Sequence, residues 1–292
     1  MADEGIKMTG TKILAGIKIL TLAYYVPGPV AAARLGAMGA HVTRIEPSDG
    51  DPLKQLCSAW YDELSAGHEI VRLNLKSEEG KEKRELLLAD ADLFISSVRL
   101  LALSHLGLDR ERLHDRYPRL CQIAITGHPS PDQDRTGHDL TYGAKCGLLS
   151  PPTMPRTLLA DLIGAERTVI SALSLLFARE RGNGAGYEEI ALADGIGSFA
   201  APLRYGLTRS GGILGGGSPR YSLYETREGY IAVAALEDHF WSDLTAELGA
   251  DSSDAGYDEL RKIFSTRTAV EWEEWAASRD LPIAAVRTDV LG

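Results

Sequence analysis

The chain reads as an α/β protein: a parallel sheet flanked by helices, followed by a smaller α+β domain. Three observations predict this. Residues 13–47 make a strand–turn–helix–strand unit of about 30 residues, the way a parallel sheet begins. The same alternation continues as far as residue 201. After that, five of the eleven residues 210–220 are glycine, and a hairpin pattern follows with helices that carry three of the four tryptophans. The expected division is a large domain over 1–209, a glycine-rich linker over 210–220 and a small domain over 221–292.

Each element has its own signal. "ILAGIKILTLA" (13–23) is an apolar strand, "YVPGP" breaks it, and "VAAARLGAMGA" is a small-residue helix before the strand "HVTRIEP". "HEIVRLNL" is a strand, and Ser77 opens the charged helix "SEEGKEKRELLLADA" as its N-cap. "DLFISSV" is a strand, "LSHLGLDRERLHDRYP" (103–118) is helical, and "LCQIAITG" is a buried strand. "SPDQDRT" and "SPPTMPR" are polar and proline-rich loops. The longest helix is expected over 158–182, with Asp161 at its N-cap and Arg179 and Arg181 in its last turn. "GYEEIALADGIGSFAA" is a strand running into a helix, and "YSLYETREGYIAVAAL" is a hairpin that turns at Glu228-Gly229.

Composition excludes several classes. A net charge of −10 argues against nucleic acid as a general partner. Three cysteines without CxxC spacing exclude a disulfide framework or a cysteine-rich zinc site, and fit a reducing, cytoplasmic setting. The start "MADEGIKMTG" does not resemble a signal peptide, and no apolar run approaches the roughly 20 residues of a membrane span. HExxH, P-loop, GxSxG and GxGxxG motifs are all missing.

In open parallel sheets ligands bind beyond the carboxyl ends of the strands. That directs attention to Pro27–Pro29, Glu46, Asn74–Lys76, Arg99 and the stretch from Gly127 to His138. "TGHDLTYGAKCG" (136–147) sets His138 beside Asp139 at a helix start. Such a pair is either a hydrogen-bonded surface feature or a catalytic base. Asp161 reads equally as a plain helix cap and as a carboxylate held among helix amides, where an oxyanion would also be stabilised. Glu237, at the end of a hairpin strand, reads as a solvated loop carboxylate. Lys76 and Arg99 are solvated cations or phosphate contacts.

Five segments, in order, resemble the family III CoA-transferases, the superfamily that includes carnitine CoA-transferase, formyl-CoA transferase and α-methylacyl-CoA racemase. They are "LGAMGAHVTRIEPSDGDPL" with the "PGP" before it, "VRLNLKSEEGKEKRELLLADADLFISSVR…LGLD", "ITGHPSPDQDRTGHDLTY", "LLADLIGAERTVISALSLLFARERGNG" and "YSLYETREGYIAVAALEDHFW". The resemblance implies a Rossmann-like large domain, a small domain and a homodimer of two interlocked chains. It implies acyl-CoA thioester substrates, with coenzyme A entering as part of the substrate and no cofactor bound permanently. CoA contacts map onto Glu46, Asn74, Lys76, Arg99 and Gly137. The family's aspartate falls on Asp161, the histidine of its "GHD" motif on His138, and the glutamate that partners this histidine on Glu237.

Two chemistries follow from the resemblance. A racemase needs an acid and a base on opposite faces of Cα, which His138 and Asp161 supply, with the amides at the start of the long helix holding the enolate oxygen. A CoA-transferase needs only Asp161, as the nucleophile that carries acyl and CoA groups. The presence of His138 favours 1,1-proton transfer at Cα of a 2-methylacyl-CoA. A non-catalytic acyl-CoA-binding paralogue is the third reading. The sequence departs from the family in three places. Pro-Gly is absent after Arg99, the 138–161 loop is shorter than in typical racemases, and a short or missing return to the large domain is expected after "LPIAAVRTDVLG".

Overall fold

A computed structural model of the chain describes residues 12–251 and 256–287. The segment "MADEGIKMTG" and the last five residues lie outside it. The chain divides into two compact units, the first ending at Phe199 and the second starting at Ala200.

The first unit is built on six parallel strands. The elements run β1 (Lys18–Leu22), α1 (Pro27–Ala37), β2 (His41–Glu46), α2 (Pro52–Leu56), α3 (Ser58–Ser65), β3 (Glu69–Arg72), α4 (Glu78–Asp90) and β4 (Leu93–Ser96). They continue with α5 (Leu100–His105), α6 (Arg110–Arg116), β5 (Cys121–Thr126), α7 (Asp139–Lys145), α8 (Leu159–Ala178), β6 (Tyr187–Ala191) and α9 (Leu192–Phe199). The strand order is β3-β2-β1-β4-β5-β6, all parallel. The order reverses between β1 and β4, so the crevice for a ligand lies beyond Leu22 and Ser96.

Side chains alternate across the sheet with the period of two that a strand imposes. Ile19, Leu93 and Ile95 pack into one core with Val30, Leu35, Ile163 and Val169 from α1 and α8. Leu20, Leu22 and Phe94 pack into the other with Leu88, Leu103 and Leu113 from α4, α5 and α6. Burial on both faces is why the strands read as nearly continuous apolar runs.

Some boundaries differ from the sequence expectation. The first strand begins only at Lys18, because Gly16 turns the chain at φ +86°. The expected helix over 103–118 is two helices, separated at Gly107 (φ +70°) and restarted by Asp109, whose side chain accepts the Arg112 amide. The helices α2 and α3 fill a stretch that has no clear sequence signal. Ser77 caps α4 as expected, accepting from the Gly80 amide at 3.1 Å. The α8 helix stops at Ala178, and a single wide turn over Arg179–Asn183 follows. Arg179 is buried and anchors this end of α8, donating to Asp92 Oδ1 at 3.0 Å and to the Arg119 carbonyl at 3.1 Å.

The second unit holds α10 (Ala201–Arg204), the hairpin β7 (Tyr221–Glu225) and β8 (Tyr230–Ala234), α11 (Asp238–Leu248), α12 (Tyr257–Phe264), α13 (Ala269–Ala277) and β9 (Ile283–Ala285). The hairpin turns at Gly229 (φ +85°), and β9 joins β8 antiparallel. Trp241, Trp272, Phe264 and Tyr224 form its core. The glycine-rich segment 210–220 belongs to this unit and folds on itself through bonds such as Gly217 N–H to Gly212 O (2.9 Å) and Leu214 N–H to Leu207 O (3.0 Å). A Cβ on Gly215 would stand 1.8 Å from the Arg209 carbonyl oxygen, so only glycine permits this fold-back.

Candidate active site

The candidate site is built by three of the helices that start towards the carboxyl edge of the sheet. The first is α1, which Pro27 opens at a position where a missing N–H costs nothing. Gly28 lets it start tight against β1: a Cβ there would meet Ala23 Cβ at 2.1 Å. The second is α8, which packs along α1. At Gly164 a Cβ would lie 3.9 Å from Pro27 Cβ and 2.1 Å from Leu192 of α9. The third is α7, a short helix on the crossover from β5 to α8.

Asp161 lies in the first turn of α8. It is not the N-cap, as the sequence suggested. That position is Leu158, which has no side-chain oxygen to offer. Instead Asp139, the first residue of α7, accepts the Asp161 amide on Oδ1 at 3.1 Å. This bond spans 22 residues and holds the starts of α7 and α8 together. It also narrows the expectation that α8 offers its first amides to an enolate oxygen, because the Asp161 amide is spent on Asp139.

His138 caps α7 in extended conformation (φ −142°, ψ 167°), with its amide donating to Thr141 Oγ1 at 3.0 Å. Its side chain is exposed. Because His138 adjoins Asp139, the Asp139–Asp161 bond sets the His138 backbone, at the start of α7, against the start of α8.

Tyr142, only 2% exposed, sits one turn beyond Asp139 on the same face of α7. Two glycines make room for it. A Cβ on Gly137 would be 2.4 Å from Tyr142 Cε1, and one on Gly127 would be 2.5 Å from its hydroxyl. Gly137 is therefore required by packing, whatever ligand it also meets. Edge-on to the Tyr142 ring, at 5.3 Å, lies the buried ring of His128.

Burial pushes the Asp161 carboxyl from its ordinary 3.8 up to about 7, and the negative charge of Asp139 adds to the shift. Burial also raises the Tyr142 phenol, with the Asp161 charge as a second cause. The start of α8 thus holds a carboxyl poised to gain or lose a proton at neutral pH.

The other candidate residues lie elsewhere. Glu46 is completely buried and faces the interior: the Tyr61 hydroxyl donates to it at 2.8 Å and Arg44 lies 3.4 Å away. Arg44 also pairs with Asp51 at 2.7 Å, and Asp51 accepts the amides of Tyr25 and Leu53. This buried network ties the β1 and β2 ends together. Asn74 folds the turn before α4, accepting the Lys76 amide at 3.1 Å, and Gly80 approaches so closely that a Cβ would be 2.0 Å from the Asn74 carbonyl oxygen. Lys76 is exposed and lines a pocket of about 460 Å³ with Lys81 and His105. Arg99 is exposed at the N-cap of α5. Lys76 and Arg99 thus share the carboxyl edge with His138 and Asp161 but follow different strands. Glu237 belongs to the second unit, where it is exposed and stands at the N-cap of α11.

The model of the family described as CoA-transferase family III matches residues 14–290. The chain belongs to CoA-transferase family III. Its similar proteins include the cinnamoyl-CoA:phenyllactate CoA-transferase of Clostridium sporogenes, 26% identical over 95% of this chain and 79% of that one. They also include the α-methylacyl-CoA racemase of Mus musculus, 28% identical over 94% of this chain and 78% of that one. Among solved structures, the protein Rv3272 of Mycobacterium tuberculosis superposes with a TM-score of 0.81 at 25% identity, covering 94% of this chain and 84% of that one. The parallel α/β fold is thus the fold of the family. Among the described residues, no helix of this family III chain is long and apolar enough to cross a membrane. Of the candidate-site residues, Tyr142 carries no role in the sequence reading, and Asp139 enters it only as the neighbour of His138. The "GHD" and "DLTY" stretches hold their signal, a helix start with Asp and Tyr three residues apart.

Proposed function

We propose that this family III chain catalyses 1,1-proton transfer at Cα of a 2-methylacyl-CoA. The observation that supports this reading is the bond from the Asp161 amide to Asp139, the neighbour of His138, at a helix start where the Asp161 carboxyl is pushed up to about 7. In a racemase each group must act as acid in one direction and base in the other, and a pKa near the working pH serves both. One group removes the α-proton, and the C–H electron pair moves onto the thioester carbonyl oxygen as an enolate. The other delivers a proton to the opposite face, and the enolate electrons re-form the C–H bond. The positive end of α8 favours the enolate while it lasts. Coenzyme A enters as part of the substrate, with Lys76 and Arg99 as its phosphate contacts.

The competing reading makes Asp161 the nucleophile of a CoA-transferase, and the name of the Clostridium relative supports it. A nucleophile must be ionised, whereas burial and Asp139 both favour the neutral form of Asp161. Three free cysteines fit a reducing, cytoplasmic setting.

The test is hydrogen exchange. Incubated with a 2-methylacyl-CoA in D₂O, the protein should place deuterium at Cα. His138→Ala should slow this by at least about 10²-fold, the loss typical of a general acid–base group. Exchange that His138→Ala leaves untouched would remove His138 from the mechanism.

A further inference from the structure

The first turn of α8 lacks a cap of its own. Leu158 stands at the N-cap position, and the amide that an N-cap side chain would take is instead bound by Asp139, from another helix. Asp139 is only 7% exposed. Asparagine caps helices as well as aspartate does, so capping alone does not call for a buried carboxylate here. A buried acid beside a second acid is an electrostatic expense, and it invites a use.

We propose that Asp139 is a positioning residue for the reaction: from α7 it caps α8 and fixes a negative charge beside the Asp161 carboxyl. This rests on the proton-transfer reading above. The charge disfavours ionisation of Asp161, so that a proton is held there at neutral pH, ready for delivery to the enolate. The cap fixes where that proton sits relative to His138, the residue just before Asp139.

The ionisable groups of α1, α7, α9 and the strands beneath do not take this role. On α7, Tyr142 is a buried phenol and His138 is exposed. From α1, Arg34 pairs with Glu166, farther along α8. Arg167 of α8 packs against Gly195 of α9, and Asp194 of α9 is exposed. The strands beneath carry Cys121 at the amino end of β5 and Tyr187, Glu188 and Glu189 on β6, where Glu189 accepts from the Tyr187 hydroxyl at 2.8 Å and from Gln133 Nε2 at 3.0 Å.

Asp139→Asn separates the two roles, because it keeps the cap and removes the charge. The titration of Asp161, followed through its side-chain carbon by NMR on protein labelled at aspartate, should move down by about one pH unit. The limb of the exchange-rate profile that reports Asp161 should move down by the same amount, and the rate at pH 7 should fall while the rate at lower pH persists. Asp139→Ala removes both roles and should lower the rate at every pH. An Asp161 titration unchanged in Asp139→Asn would overturn the proposal, as would a uniform loss of rate with no shift in the profile. The NMR titration needs no substrate. If the wild type shows no exchange with a 2-methylacyl-CoA, the proton-transfer reading fails, and the titration still decides whether Asp139 sets the proton affinity of Asp161.

Discussion

A carboxyl held near pKa 7 makes folding depend on pH across the neutral range. Below about pH 4 both folded and unfolded chains carry the Asp161 proton, and the group costs nothing. Between about 4 and about 7 the unfolded chain has released a proton that the folded chain keeps, so stability falls as pH rises, then levels off. Asp161→Asn removes the titrating group. Urea unfolding should find this variant more stable than wild type at pH 8, with the gain shrinking towards zero as the pH approaches 4. An equal gain at both pH values would show that Asp161 is not the group under strain. At this scale the sequence marked Asp161 as a residue at the start of the long helix, and the structure places it in that helix's first turn. It misjudged the cap, because an Asp at a helix start is the locally preferred reading, whereas the bond that caps α8 comes from 22 residues away. The surroundings of Glu46 were hidden for a related reason. A glutamate at a strand end looks ligand-facing until Tyr61, 15 residues further on, is seen to close over it with the neighbouring Arg44.

Helix starts build the site, and their placement depends on close approaches that only small residues allow. Gly28 is the clearest case, since its neighbour at 2.1 Å is the Cβ of Ala23, fixed to the end of β1. Gly28→Ala should force α1 away from the strand and destabilise the protein by about 1–3 kcal/mol, the usual range for overpacking. A urea midpoint that falls with an unchanged slope is the expected result. An unchanged midpoint would show that α1 can shift at no cost. The elements that were legible in sequence are those with strong periodicity or a local cap, such as β1, β2, β4, β5 and α4. The split between α5 and α6 was not, because one left-handed glycine and one Asp cap outweigh the apolar spacing that runs through both.

At the scale of the whole molecule, the exposed apolar stripe of α8 bears on assembly. Leu159, Ile170 and Phe177 lie on one face of that helix and are 37%, 63% and 65% exposed. Large apolar residues in a row are a common mark of a buried interface. We expect a homodimer, and sedimentation at micromolar concentration should show one. A stable monomer would contradict this. The fold class was legible as a whole, because a parallel sheet buried on both faces leaves an alternation of strand and helix that few other folds share.

The most direct test of the account follows hydrogen and covalent mass in one incubation. With a 2-methylacyl-CoA in D₂O, mass spectrometry should find deuterium at Cα and no added mass on the peptide that contains Asp161. An acyl or CoA adduct on Asp161 without deuterium in the substrate would contradict the account and make the protein a CoA-transferase.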